Sequence, residues 1–441
     1  MKIVQAKIHH KLAVLAVAMV SSTAAANELT LIGRTKFIAT PGEGVRVNSR
    51  SYYTSKDDRT LKSFHNLQSR SDTADVAFQR FSNDNGQTWS EPITVATQRK
   101  TAQGILRSYP RIGYSDPKTG VLIEFWLSGV LPTDDPLEGM QHWSLRYRLS
   151  RDGGRSSFHE GPVIQSSQPY SAEHPFPGVH IGKNSIMIGD QSCLTTTLSN
   201  GNLLQPVQIT PVGPNGEYHN PGGGYTYHDA AVLIGQWNAQ GLIDWTISQR
   251  VVGDPQRSTR GMLEPTVVEF PDQRVLMVLR GSNQSKPELP AHKWFCISKD
   301  HGHTWSDPQP WTYHDGTPFF SPSSCSQLLK HSNGSIYWIG NLCESNPNGN
   351  RPRYPLVIGQ VDAESLQLMR ETICAIDDRR EGDSERLQVS NFFAREDRVT
   401  HDIVVHCSPF EYSTRPDAEG RFVTNWTADA WLYRLSVAPK Q

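Results

Sequence analysis

One eight-residue turn is written twice in this chain, and it limits the possible folds more than any other feature. Ser82-Asn83-Asp84-Asn85-Gly86-Gln87-Thr88-Trp89 and Ser298-Lys299-Asp300-His301-Gly302-His303-Thr304-Trp305 share the pattern S-x-D-x-G-x-T-W, and each is followed by Ser, an acidic residue and Pro. A third, altered copy, Ser150-Arg151-Asp152-Gly153-Gly154-Arg155-Ser156-Ser157-Phe158, keeps the Ser, Asp and Gly and places its aromatic one position late. Ser and Asp side chains satisfy backbone amides in tight turns, and Gly supplies the positive φ. The residues ahead of the two full copies, Val76 to Phe81 and Trp294 to Ile297, are β-formers. Each copy therefore reads as strand, turn, strand, with the Trp wedged between sheets. A repeated turn implies a repeated supersecondary unit.

The rhythm continues between the copies. Trp245, in Gly241-Leu242-Ile243-Asp244-Trp245-Thr246-Ile247, reads as a fourth, eroded copy. The aromatics at 89, 158, 245 and 305 are spaced to suit units of about four strands plus loops. Hairpin phrases recur at Asp116–Ile123, Ser199–Leu204, Pro271–Leu276 and Ser332–Tyr337. About six such units fit between Arg46 and Tyr433. Gly 34, Pro 29 and Trp 11 suit an all-β, loop-rich protein, and loops such as Tyr218 to Gly224 are expected on one face of a disc.

Residues 1–26 read as an export leader: Lys2, Lys7 and Lys11 precede a short apolar run, and Ala24-Ala25-Ala26 offers a cleavage site. Residues 27–441 are then expected to form one domain, secreted or periplasmic and monomeric, with no membrane association once the leader is removed. A net charge of −1 argues against a nucleic-acid role. The 6 cysteines form no C-x-x-C pair, and no metal-ligand spacing stands out, so neither a metal nor a cofactor is expected. Cys325 and Cys343 are spaced so that adjacent strands could bridge them; buried free thiols are the alternative.

The repeated turns are similar to the Asp-boxes of the sialidase superfamily, which lie between the last two strands of several propeller blades. The resemblance implies an all-β, six-bladed β-propeller with Asp-box turns. It also implies an axial site where three arginines clamp a substrate carboxylate, an Asp serves as acid/base, and a Glu activates a Tyr nucleophile. Glu264-Pro265-Thr266-Val267-Val268-Glu269-Phe270 followed by Leu276-Met277-Val278-Leu279-Arg280 resembles the family's fourth-blade phrase, which puts Glu264 in the catalytic glutamate position and Arg280 in the second clamp position. Ser324 to Leu329 followed by Arg353 to Gly359 resembles the fifth-blade phrase and gives Arg353 as the third clamp, with Arg351 nearby. Val45-Arg46-Val47-Asn48 stands in the place of the family's Arg-Ile-Pro motif without its Pro, and Asp72 follows at the acid/base spacing; Arg50 and Asp75 compete for these roles.

Those residue types suit an acidic sugar. Arginine forks bind a planar carboxylate bidentately, and a protonated acid beside the leaving oxygen supplies the proton for glycosidic cleavage. One departure is serious: the last-blade region Ser384-Glu385-Arg386-Leu387-Gln388-Val389-Ser390-Asn391-Phe392-Phe393 holds no Tyr, and Tyr412 comes too late to match. His228, in a loop region with His174, His180 and His219, joins the candidate substrate-binding residues, since a His base beside arginines suits uronate lyase chemistry.

The expected activity is that of an exported, sialidase-like glycoside hydrolase acting on an acidic oligosaccharide or polysaccharide. Asp72 and Glu264 would be catalytic, and Arg46, Arg280, Arg353 and His228 would bind substrate. The alternatives are a propeller lyase or glycosidase cutting uronate-containing polysaccharide, and a non-catalytic glycan-binding propeller.

Overall fold

A computed structural model of the protein describes residues 29–167, 169–411, 413–416 and 422–438. The expected leader at 1–26 and Tyr412 lie outside the described residues. Six antiparallel sheets follow one another along the chain and form the blades of a propeller. Blade 1 is Arg46–Tyr53, Leu61–Gln68, Val76–Ser82 and Ile93–Val95. Blade 2 runs from Gly104–Ser115 through Leu122–Leu131 and Ser144–Ser150 to His159–Pro162, with Gln98–Thr101 added at its inner edge. Blade 3 has a broken inner strand, Ile186–Met187 and Thr196–Thr197, both paired with Leu203–Ile209, then Asp229–Trp237 and Ile243–Ile247. Blade 4 comprises Leu263–Glu269, Val275–Arg280, Lys293–Ser298 and Gln309–Pro310. Blade 5 comprises Gln327–Lys330, Ile336–Asn341, Leu356–Gln360 and Cys374–Asp377.

Blade 6 closes the ring with strands from both ends of the described chain. Phe393–Glu396 and Ile403–Cys407 pair onward to Ala430–Val437, and Leu29–Ile38 completes the sheet with Leu29 opposite Val437. Among the described residues no helix is long and apolar enough to cross a membrane.

Alternating strand direction sorts the connections onto two faces. Turns between the first and second and between the third and fourth strands share one face. Loops between the second and third strands, and the links between blades, share the other. All three S-x-D-x-G turns join third and fourth strands, so they lie on the first face. There Gly86 N–H donates to Ser82 Oγ, Ser82 Oγ donates to Asp84 Oδ1 at 2.7 Å, and Thr88 N–H donates to Asp84 at 2.9 Å. The Ser298 copy repeats this set.

The copy that looked altered in sequence is intact in its hydrogen bonds. Ser150 and Asp152 hold Gly154 and Ser156 in the same way, because the Ser156 hydroxyl replaces that of Thr. Only the wedge is lost: Phe158 is exposed, with the Arg151 guanidinium 3.9 Å from its ring centre. In the eroded copy, Asn238 Oδ1 takes the Ser position and accepts from Leu242 N–H at 3.0 Å, while Trp245 is fully buried.

Large side chains fill the gaps between blades 2 and 3, 3 and 4, 4 and 5, and 5 and 6. Each fully buried ring such as Phe176 or Phe392 contributes about 1.5–3 kcal/mol by leaving water. Blade 1 is held differently. Glu124 of blade 2 accepts from Tyr52, from Lys62 at 2.8 Å and from Arg148 at 2.9 Å, while Ser49 and Ser51 bond His406 of blade 6 at 3.1 and 2.7 Å. All six cysteines are free thiols, so Cys325 and Cys343 are not bridged; Cys325 lies beside Ser390 Oγ and Cys343 beside Pro352 O.

Candidate active site

Inner strands begin, and second strands end, on the face opposite the Asp-boxes. At that end the axis is lined with charge. Glu264 opens the inner strand of blade 4 with φ +43, and the register slips between Leu263 and Thr266. Pro265 has no N–H to give to the ladder, so the chain bulges there and the carboxylate is re-aimed. Glu264 is buried; its Oε1 accepts from Arg280 Nη1 at 2.6 Å, its N–H donates to Gln208 Oε1 at 3.0 Å, and its Oε2 has no hydrogen-bond partner among the described residues. Burial pushes its pKa up, but Arg280, Arg353 and Arg260 outweigh burial and hold it below the usual value.

Arg280 ends the second strand of blade 4. Besides Glu264 it donates to Ser323 Oγ at 2.9 Å and Asn350 Oδ1 at 3.2 Å. Arg353 comes from the link between the second and third strands of blade 5 and donates to Ser323 O at 2.7 Å and Gln388 Oε1 at 3.3 Å, with its Nε unpartnered. Ser323 thus joins Arg280 and Arg353. Arg46, at the start of the inner strand of blade 1, donates to Ser390 O at 3.2 Å and lies 4.3 Å from the Phe410 ring centre.

The competing residues separate. Arg50 is equally buried but sits further along its strand, over Phe64, beside a cavity between blades 1 and 2. Arg351 is exposed. Asp75 accepts Ser69 N–H at 2.7 Å and so closes its own loop. Asp72, with φ +55 on the same loop, is exposed, accepts among the described residues only from neighbouring Ser71, and interacts electrostatically with Arg260 and Tyr109. His228 is buried against Thr226 and Gln208 at 3.2 and 3.3 Å; burial, then Arg260 and Arg280, hold its pKa well below the usual value, so it is neutral at pH 7. His174 and His180 bond each other at 2.9 Å.

Several residues at this end of the axis carried no recognised phrase. Arg260, four positions before Glu264, is buried, and burial with Arg280 lowers its pKa to about 9. Its closeness to the Glu-Pro phrase was the available signal. The break in the inner strand of blade 3 delivers Asp190, whose Oδ2 accepts from Asn391 Nδ2 at 2.8 Å. Burial and then Glu264 raise the Asp190 pKa. Tyr109 of blade 2 interacts electrostatically with Arg46, Asp190 and Asp72. Gln388 holds Arg353 in the region where the resemblance calls for a Tyr. Among the described residues no group of three or more His, Cys, Asp or Glu could hold a metal ion.

A family model described as BNR repeat-like domain matches residues 60–372, more than half of the chain. The chain belongs to this family. No curated protein matches it. Among solved structures, a Dyadobacter fermentans protein of unknown function is 14% identical with TM-score 0.58, covering 93% of this chain and 99% of that one. The NanB sialidase of Streptococcus pneumoniae, as its K499G mutant, is 14% identical with TM-score 0.56, covering 90% and 70%. The intramolecular trans-sialidase of Ruminococcus gnavus, in complex with oseltamivir carboxylate, is 12% identical with TM-score 0.58, covering 93% and 99%. This BNR-repeat protein therefore shares the sialidase-superfamily propeller, at identities that speak to the fold alone.

Proposed function

We propose that this protein is a sialidase-like glycoside hydrolase that releases a terminal acidic sugar from glycans. The observation that carries the reading is an imbalance of charge: Arg46, Arg260, Arg280 and Arg353 are all buried, yet among the described residues only Arg280 has an ion pair, with Glu264. Burial, with Arg280 beside them, destabilises the charged forms of Arg260 and Arg353. An anion bound beside these arginines relieves both costs, so the site selects a carboxylate. The sialidase and trans-sialidase among the structural neighbours support the same substrate class. The leader-like residues 1–26 support action outside the cytoplasm.

In this reading Arg46, Arg280 and Arg353 grip the carboxylate, and Arg260 with His228 supports that side of the pit. Asp72, on the outer loop, protonates the leaving oxygen. Glu264 is ionised and has one free oxygen, and Gln388 cannot act as a nucleophile. Glu264 Oε2 therefore takes a proton from water as that water attacks the anomeric carbon, a single displacement that inverts configuration.

The absence of a Tyr from Ser384–Phe393 also favours a second reading, a propeller that binds acidic glycans without cutting them. Incubation with sialylated and uronate-bearing oligosaccharides, followed by mass spectrometry and proton NMR, separates the two. Free acidic sugar in the inverted anomeric form is expected. A retained anomer would require a side-chain nucleophile, with Tyr109 the first residue to test. An unsaturated product absorbing in the near ultraviolet would mean lyase chemistry with His228 as the first base to test, and binding without product would refute hydrolysis.

A further inference from the structure

The axis has a second opening. Toward the Asp-box face, the inner strands and the break in the inner strand of blade 3 line an open cavity of about 260 Å³. Every blade contributes to the wall, through Tyr53, Ser115, Leu194, Val267, Leu329 and Arg395 in blade order.

Arg395 is the unusual member. It is half-buried, and its hydrogen bonds, to Ser51 Oγ and Tyr53 Oη at 3.4 Å and to Glu396 O at 3.3 Å, are long. None goes to a carboxylate, and among the described residues no ion pair includes it. The neighbouring carboxylates are occupied elsewhere: Glu396 accepts from Ser332 N–H at 2.8 Å and bonds His401 at 2.7 Å, while Asp397 takes Asn85 at 2.8 Å and Arg434 at 3.1 Å. Arg398 also lines the cavity, 4.0 Å from the Tyr53 ring centre, but is committed to Ser55 O and Asp58 O at 2.8 and 3.1 Å. Arg395 is thus a weakly held cation aligned with an unfilled space.

The rest of the wall narrows the ligand. Leu194, Val267 and Leu329 form an apolar side contributed by blades 3, 4 and 5, while Ser115 Oγ has no hydrogen-bond partner among the described residues. An inorganic oxyanion would leave the apolar side uncovered and its own charge poorly solvated. At about 260 Å³ the space lies near the small end of ligand sites, which favours a small molecule over an oligosaccharide.

We propose that this cavity binds a small organic carboxylate, its carboxylate forked by Arg395 beside the Tyr53 hydroxyl and its hydrocarbon body against Leu194, Val267 and Leu329. The site is separate from the arginine pit and does not depend on what that pit binds.

Isothermal titration of the full chain with benzoate, acetate and phosphate tests this. Benzoate is expected to bind with Kd below about 1 mM, acetate at least about ten-fold more weakly, and phosphate not at all. Arg395→Gln should abolish benzoate binding. So should Leu194→Trp, which fills the opposite wall and leaves Arg395 in place; circular dichroism reports whether each variant folds, and either one suffices. No benzoate binding to the unmodified protein overturns the proposal, as does phosphate binding in preference to benzoate. Binding that survives Leu194→Trp but is lost in Arg353→Gln would assign benzoate to the other pit and overturn it equally.

Discussion

On one face of the disc, Ser82, Ser150 and Ser298 each accept a glycine N–H at 2.8 Å in the same arrangement. On the other face, no two of the four buried arginines share a partner set: Arg46 has a carbonyl and a ring, Arg260 a threonine, Arg280 a glutamate, and Arg353 a carbonyl and a glutamine. The first face repeats because blades 1, 2 and 4 meet the same requirement there, a tight turn whose amides need acceptors. The second does not repeat because its groups converge on one axis from different directions. Stability devices therefore occur in copies and can be lost singly, whereas each site residue has no duplicate.

The largest test of that contrast lies in the pit. Arg280→Ala strips the partner from a buried carboxylate and should cost about 3–5 kcal/mol in denaturant unfolding. Glu264→Gln keeps the shape but leaves the buried Arg280 guanidinium without its carboxylate, so it should also cost about 3–5 kcal/mol, while turnover of an acidic glycan per folded molecule falls about 100-fold or more. If Glu264→Gln retains full turnover, the site face does not perform the proposed chemistry.

Ser298→Ala reverses the pattern. It removes the three hydrogen bonds of a buried hydroxyl, one of them long, and should cost about 1–2 kcal/mol. Turnover per folded molecule should stay unchanged, because Ser298 lies on the opposite face. A fall in turnover at full folding would mean that the two faces are coupled.

The smallest effect is on acid stability. Hydrogen bonds from Thr88 and Ser82 lower the Asp84 pKa to about 2; for Asp300, burial opposes but Thr304 and Ser298 prevail, again to about 2. Folded-state values below the ordinary 3.8 mean that these turns stabilise the fold fully above that pH. The contribution is lost as pH falls toward 2. Melting temperatures of the parent and an Asp84→Asn/Asp300→Asn variant should differ at pH 5 and converge between about pH 4 and 2. A constant gap over that range would contradict the assignment.

The two faces also differed in how far they could be read from the residues alone. An Asp-box is complete within eight positions, so its spacing discloses its hydrogen bonds, and the six-bladed count follows from the repeat. Even so, the Ser150 copy was undervalued, because its missing aromatic masked an intact set of polar contacts. The Glu264–Arg280 pair was legible since the two residues flank one hairpin, 16 positions apart. Asp190 was not. Asn391 reaches it across 201 positions, and Gln191 returns to Asn391 across 200, so no local phrase announces either. Arg46 and Arg50 could not be separated by pattern because both are buried on the same strand, and only their depth along the axis distinguishes them.

The outermost position of blade 6 is filled by Leu29–Ile38, whose pairing partner begins only at Ala430. Nearly the whole polypeptide must be synthesised before these two segments can meet, so annulus closure has the longest loop-entropy cost of any step in folding. Until then Ala430–Val437 is an open edge with unsatisfied amides, able to recruit another molecule's strand. The same register that seals the finished disc is thus the place where an incomplete one is most prone to exchange strands with its neighbours.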